Sequence, residues 1–141
     1  MEPMVTKPYP WMCPNCREKT VAPVLSDYAL TAMHDGLEYE VCLRNVLVPR
    51  CERCGDAIIT SGLSQQITAE LRRMIGLLPG DAIRANRERL GLTRAQLAAT
   101  LRVGEETLAR WETGGQLQPR AVDLLMRLYF DSAEVRKACV A

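Results

Sequence analysis

Apolar positions along this chain follow two rhythms, an extended one in the first 60 residues and a helical one after them. The segment from Thr20 to Met33 carries Val21, Val24, Leu25, Tyr28 and Leu30 and reads as a strand. Residues Glu38 to Val48 alternate, with Tyr39, Val41 and Leu43 on one face and Glu38, Glu40, Cys42 and Arg44 on the other. That is the period of a half-buried strand. Asp35-Gly36 between the two segments is a hairpin-turn signal.

Beyond residue 60 the spacing changes. Leu63, Ile67, Leu71, Met74 and Leu78 predict a helix, capped by Ser61 or Ser64 and terminated by Pro79-Gly80. Asp81 is placed to cap the next helix, with Ile83 and Leu90 inward, its arginines outward and Gly91 at its end. Thr93 followed by Gln96 is a capping-box start for a third helix, whose apolar face is Leu97, Ala98 and Leu101. Arg102-Val103-Gly104 breaks that pattern, and a fourth helix begins near Glu105 with Leu108 and Trp111 inward, ending at Gly114-Gly115. Pro119 suits the first turn of a fifth helix. Val122, Leu125, Met126 and Tyr129 occupy one side of it, and Leu124 and Leu128 lie toward the other. A helix apolar on more than one face meets more than one partner, here its own core and a second protomer. Asp131 begins a last short helix. The fold class predicted is α+β: a small N-terminal β-rich, zinc-ribbon-like domain over 1–60 with a flexible leader at 1–10, a linker helix over 61–80, and a five-helix domain over 81–141.

Charge sharpens this division. The net charge is +1, but residues 1–60 hold six Lys/Arg against eight Asp/Glu, and residues 61–141 hold twelve against nine. Arg84, Arg87, Arg89, Arg94, Arg102 and Arg110 cluster around the third and fourth helices, a local basic surface of the kind that meets phosphate. No apolar run approaches the ~20 residues of a membrane span. The first residues carry no apolar signal-peptide core. The expectation is a cytoplasmic protein, where six cysteines serve as metal ligands or free thiols rather than disulfides.

Four of the six stand in two CxxC pairs, Cys13-Pro14-Asn15-Cys16 and Cys51-Glu52-Arg53-Cys54. Each pair turns two sulfurs to one side of the backbone, and two such knuckles make a tetrahedral thiolate site suited to one structural Zn²⁺ per chain. The 34 residues between the pairs exceed the roughly 15–20 of the simplest spacing, and the hairpin accounts for the difference. A thiol-redox role is the rival for Cys13 and Cys16. That chemistry wants its nucleophile at a helix start in a βαβ setting, whereas the surroundings here are strand and turn. Cys42 and Cys139 stand alone, and His34 reads as a solvated turn residue. No nucleophile–base pair, open metal site or phosphate loop is apparent, so the chain is not read as an enzyme.

The third and fourth helices, joined by a short Gly-containing turn, read as a helix-turn-helix. The fourth would enter the major groove of duplex DNA with its first residues on base edges. Arg110, Glu106, Thr107 and Glu105 are the candidate base contacts. The Arg110 fork suits guanine, and Glu106 stands four residues before Arg110, the spacing of a helical ion pair. Arg94 and Arg102 are the candidate phosphate contacts. Trp111 and Glu112 read as structural.

IRANRERLGLTRAQLAATLRVGEETLARWETG, residues 83–114, resembles the Xre/Cro-repressor helix-turn-helix. With the CPNC and CERCG knuckles before it, nearly the whole chain resembles the MqsA antitoxins, which join a YgiT-type zinc finger to such a domain. The resemblance implies a homodimer formed largely through the C-terminal domains. It implies binding to a palindromic operator, repression of the protein's own operon, and neutralisation of a cognate toxin through the zinc domain. In that family the toxin is a ribosome-independent mRNA interferase. By motif match, Cys13, Cys16, Cys51 and Cys54 take the metal-ligand positions and Arg110 the base-reading arginine; the family's other base-reading residue, an asparagine, is Glu106 here. The alternatives are a stand-alone zinc-containing regulator without a toxin, and a ribbon-based module that binds protein or RNA.

Overall fold

The computed structural model describes residues 7–140. The leader expected over 1–10 lies outside the described residues up to position 6. Beyond that, Tyr9 stacks on Trp11 with ring centroids 4.3 Å apart, and the Trp11 indole N–H donates to the Lys7 carbonyl.

Three antiparallel strands in the order β1-β2-β3 form the first part: β1 (Trp11–Met12), β2 (Lys19–His34) and β3 (Leu37–Cys51). β2 and β3 make one long hairpin that closes at His34↔Leu37 around Asp35 (φ 52°) and Gly36 (φ 75°). Positive φ at both central residues is the geometry a two-residue hairpin loop demands. The register slips between Ser26 and Tyr28, and the Asn45 amide (φ 51°) donates to Asp27 Oδ1 at 3.0 Å across the slip. Inward parity changes there. Tyr39, Val41 and Leu43 face the core before it and Val46 and Val48 after it.

Six helices follow: α1 (Ser61–Ile75), α2 (Gly80–Arg89), α3 (Arg94–Leu101), α4 (Glu105–Thr113), α5 (Arg120–Asp131) and α6 (Ala133–Ala138). The α+β class and the five helices after α1 agree with the sequence pattern. Several boundaries do not. Thr60, rather than Ser61 or Ser64, caps α1 by accepting from Leu63 N at 3.1 Å, and Gly76 in the left-handed conformation ends it before Pro79 is reached. α2 starts at Gly80 with Pro79 as its N-cap, so Asp81 sits in the first turn instead of capping it. Gly80 is required there, because a Cβ would run into the carbonyl oxygens of Trp111 and Glu112. Asp131, expected to begin the last helix, is instead the final residue of α5, and Ser132 caps α6.

Two main apolar cores result. α1 lies on β3, packing Leu63 and Leu71 against Val41, Leu43 and Val48. The helical core gathers Ile83, Leu97, Ala98, Leu101, Leu108, Trp111, Met126, Tyr129 and Phe130. A buried polar junction ties them together. Arg72 of α1 donates to the Leu78 carbonyl, to Gln118 Oε1 at 2.8 Å, to the Gln116 carbonyl at 3.1 Å and to the Trp111 carbonyl at 3.3 Å. Fully buried Gln118 in turn donates to Leu78 O and Asp123 Oδ1, and Leu117 beside it packs into the ribbon core. Among the described residues, no helix is long and apolar enough to cross a membrane.

Candidate metal centre and nucleic-acid interface

The two knuckles meet at the open end of the hairpin, away from the Asp35-Gly36 turn. β1 leads into the turn holding Cys13 and Cys16, and β3 runs into the turn holding Cys51 and Cys54. Both turns fold back on themselves through Arg17 N→Cys13 O and Gly55 N→Cys51 O, each 2.9 Å. Gly55 has φ 78°, which a side chain would strain. All four Sγ atoms lie within 4.8 Å of one another. The Cys13–Cys54 and Cys16–Cys51 separations are 3.6 Å, close to the ~3.8 Å edge of a tetrahedron with Zn–S near 2.3 Å. The four cysteines thus stand where they could hold a metal ion, and their separations fit a tetrahedral, thiolate-bound one. The described cysteines are free thiols, so no disulfide competes for them.

The thiols are not equivalent. Thr20 donates its hydroxyl to Cys51 Sγ at 3.0 Å and the Cys54 amide points at the same sulfur. These bonds, the hydroxyl's foremost, bring the Cys51 thiol down to about 6. Cys16 is drawn down by the Glu18 backbone, but burial and the neighbouring Cys51 and Cys13 outweigh that and lift it to about 11. Of these two thiols, Cys51 is therefore the more readily ionised. Thr20 is a neighbour of the candidate site that the CxxC spacing does not reveal, because only the β2–β3 register brings it to Cys51.

At the other end, the Thr93 and Gln96 side chains complete the capping box of α3. Arg102 closes α3 in the left-handed conformation at φ 60°, and Gly104 leads directly into α4. Residues 80–137 match the helix-turn-helix domain family. The match spans α2 to the last turn of α6 and suggests DNA binding. No curated protein matches the chain.

Within this helix-turn-helix, the six residues read as DNA contacts do not behave alike. Glu105 and Glu106 form the exposed first turn of α4, where carboxylates are favoured by the helix dipole. Arg110 is exposed and its guanidinium stands 4.0 Å from Glu106. Thr107 is half-buried and borders a hollow rather than standing clear of the surface. Arg102 is exposed at the turn. Arg94 is half-buried, with its Nε 3.3 Å from Glu112 Oε2. That leaves the far side of its guanidinium for another acceptor.

Glu112, read as structural, is the hub of this surface. Its other oxygen accepts from Arg87 at 2.9 Å, and its side chain is 1% exposed. Arg87, expected outward with the other arginines of α2, is buried instead. The reason is the carboxylate of α4 opposite it, which periodicity on α2 alone does not show. The positive face counted from sequence thus divides into one internal cation, Arg87, the half-buried Arg94, and the exposed Arg84, Arg89, Arg102 and Arg110.

Proposed function

We propose that the protein is a DNA-binding transcription regulator of the antitoxin kind. It contains one structural Zn²⁺ per chain on Cys13, Cys16, Cys51 and Cys54, and acts in the cytoplasm as a dimer on a palindromic operator. The observation that carries the DNA reading is the first turn of α4. It stands exposed at the start of a matched helix-turn-helix, with Arg110 behind it and Arg94 and Arg102 on its flanks. On this reading Arg110, Glu106, Thr107 and Glu105 meet base edges and Arg94 and Arg102 meet phosphates.

Support for the dimer comes from α5, which leaves Leu124 59% and Leu128 48% exposed on a helix otherwise committed to the core. The resemblance to zinc-finger antitoxins and the exposed Val24, Leu25 and Leu47 of the ribbon support a toxin partner on the N-terminal domain. The protein's work is binding rather than catalysis: four protein sulfurs leave a metal no open position for substrate.

The experiment is a binding titration against the DNA upstream of the protein's own gene. Wild-type protein binds it with a strong salt dependence, and Arg110→Ala loses about 1–3 kcal/mol of affinity and its preference over random sequence. Equal binding of the two proteins to upstream and random DNA overturns the base-reading role. Co-expression with the neighbouring gene product, followed by co-purification, tests the toxin half separately.

A further inference from the structure

The hairpin that carries the cysteines at one end reaches the helix-turn-helix with the other. His34 was read as a solvated turn residue, yet its side chain is 13% exposed and its Nε2–H donates to the Gln118 carbonyl at 2.9 Å. Next to it, Asp35 Oδ2 accepts the backbone N–H of Arg120 at 2.8 Å and lies 3.4 Å from His34 Nε2. Arg120 is the first residue of α5, whose N-cap Pro119 offers no side-chain acceptor. The hairpin tip therefore caps a helix of the other domain, with its negative charge at the positive end of that helix.

This docking sets the tip beside the reading helix. Met33 and His34 line one side of a hollow of about 570 Å³, and Val103, Thr107 and Trp111 line another. Thr107 belongs to the first turns of α4. The arm itself is wholly acidic: residues 20–43 contain Asp27, Asp35, Glu38 and Glu40 and no lysine or arginine. Glu38 and Glu40 are exposed. A helix in the major groove has phosphate strands on both flanks of a groove about 12 Å wide. On the DNA reading, carboxylates on an arm beside that helix would stand on one flank of the groove and repel its phosphates, an effect that salt screens.

We infer that the docked hairpin tip is an autoinhibitory latch, which holds an acidic arm against the DNA-reading face and must release, or be neutralised, for full DNA affinity. The inference rests on the DNA-binding reading of α4. Release exchanges the Asp35 carboxylate at the start of α5 for solvent or a phosphate, and takes the tip's charge away from the groove. The bonds at the tip are partly solvated, so the tip opens while Leu30, Ala32 and Tyr39 behind it stay packed with Leu117 in the ribbon core.

The test uses the full-length, metal-loaded protein and a short random-sequence duplex, so that no operator need be known. Asp35→Ala opens the latch. Glu38→Gln with Glu40→Gln leaves it closed but lightens its charge, on exposed positions that leave the fold intact. Each is expected to bind the duplex about three- to tenfold more tightly than wild type at low salt, and the advantage of the second to vanish at high salt. Hydrogen exchange gives a reading independent of affinity. The Arg120 amide is protected in free wild-type protein, and exchanges faster in Asp35→Ala. Wild-type affinity in either variant, or an Arg120 amide that exchanges alike in both proteins, overturns the latch. Failure of all three proteins to bind DNA at low salt removes the DNA reading itself and the latch with it, a result distinct from equal binding by all three.

Discussion

Glu112 is the residue whose environment says most about the helix-turn-helix. Its carboxylate is removed from water and divided between Arg87 on one oxygen and Arg94 on the other. Burying a charge is tolerable only when it is paired, and removing one partner strands the other. Glu112→Ala leaves the buried Arg87 guanidinium without its anion and is expected to cost roughly 3–5 kcal/mol of stability, read from the midpoint of urea unfolding. A loss below about 1 kcal/mol would place the pair among surface-like bridges. Arg94 loses its anchor in the same variant, so DNA affinity falls further than the same loss of fold predicts. Thr20 plays a comparable supporting part at the candidate metal site, since its hydroxyl is the foremost of the bonds that bring the Cys51 thiol down to about 6. Thr20→Val removes that bond without changing side-chain size. The expectation is a metal affinity lower by about 10–100-fold, measured by competition with a colorimetric chelator, with the four cysteines intact. Unchanged affinity would mean that the four sulfurs alone set the site.

Among the elements, α5 carries the most unresolved surface. Met126, Tyr129 and Phe130 commit one side to the core, while Leu124 and Leu128, one turn apart, stand in solvent. If that stripe joins two protomers, Leu124→Glu with Leu128→Glu yields a monomer by sedimentation. The same variant loses the cooperative binding of two operator half-sites while each half-site is still bound weakly. A dimer that survives both substitutions moves the interface elsewhere. The stripe itself was legible in the sequence, as were the hairpin turn at Asp35-Gly36, the Thr93–Gln96 capping box and the glycine that ends α4. These are local signals, each spelled by a few neighbouring residues. What the pattern misassigned was decided by partners far along the chain. Arg87 reads as surface because arginines on a short helix usually are, and only Glu112, 25 residues on, draws it inside. Asp81 reads as a cap because aspartate before an apolar residue often is one, but the close approach of α2 to the end of α4 moves the start back to Gly80. The clustering of the CxxC pairs was legible; the Thr20 hydroxyl against Cys51 was not.

At the scale of the whole molecule, three clusters of very unequal size share the work. The helical core holds nine buried residues and the ribbon–α1 core five, but the cluster at the knuckles holds only Cys13, Val21 and Cys51, with Trp11, Cys16 and Ile58 packed against them. Two of its three buried members are candidate metal ligands. A cluster that small offers little hydrophobic burial to order two turns, and on the proposed reading a tetrahedral ion would supply the rest. The other two cores do not depend on it. They are joined instead by Arg72, Gln118 and Asp123, a polar junction with Leu117 of the α4–α5 loop seated in the ribbon core. Metal removal should therefore act locally. Stripping the ion with a strong chelator is expected to abolish amide protection over residues 11–21 and 49–58 while protection in α2–α5 and the helical circular dichroism stay as they were. Full unfolding would show that the junction makes the ion a support for the whole chain. Retained protection at the knuckles, in protein shown by elemental analysis to be metal-free, would remove the structural metal from the account, since Val21 and its few neighbours would then be holding both turns unaided.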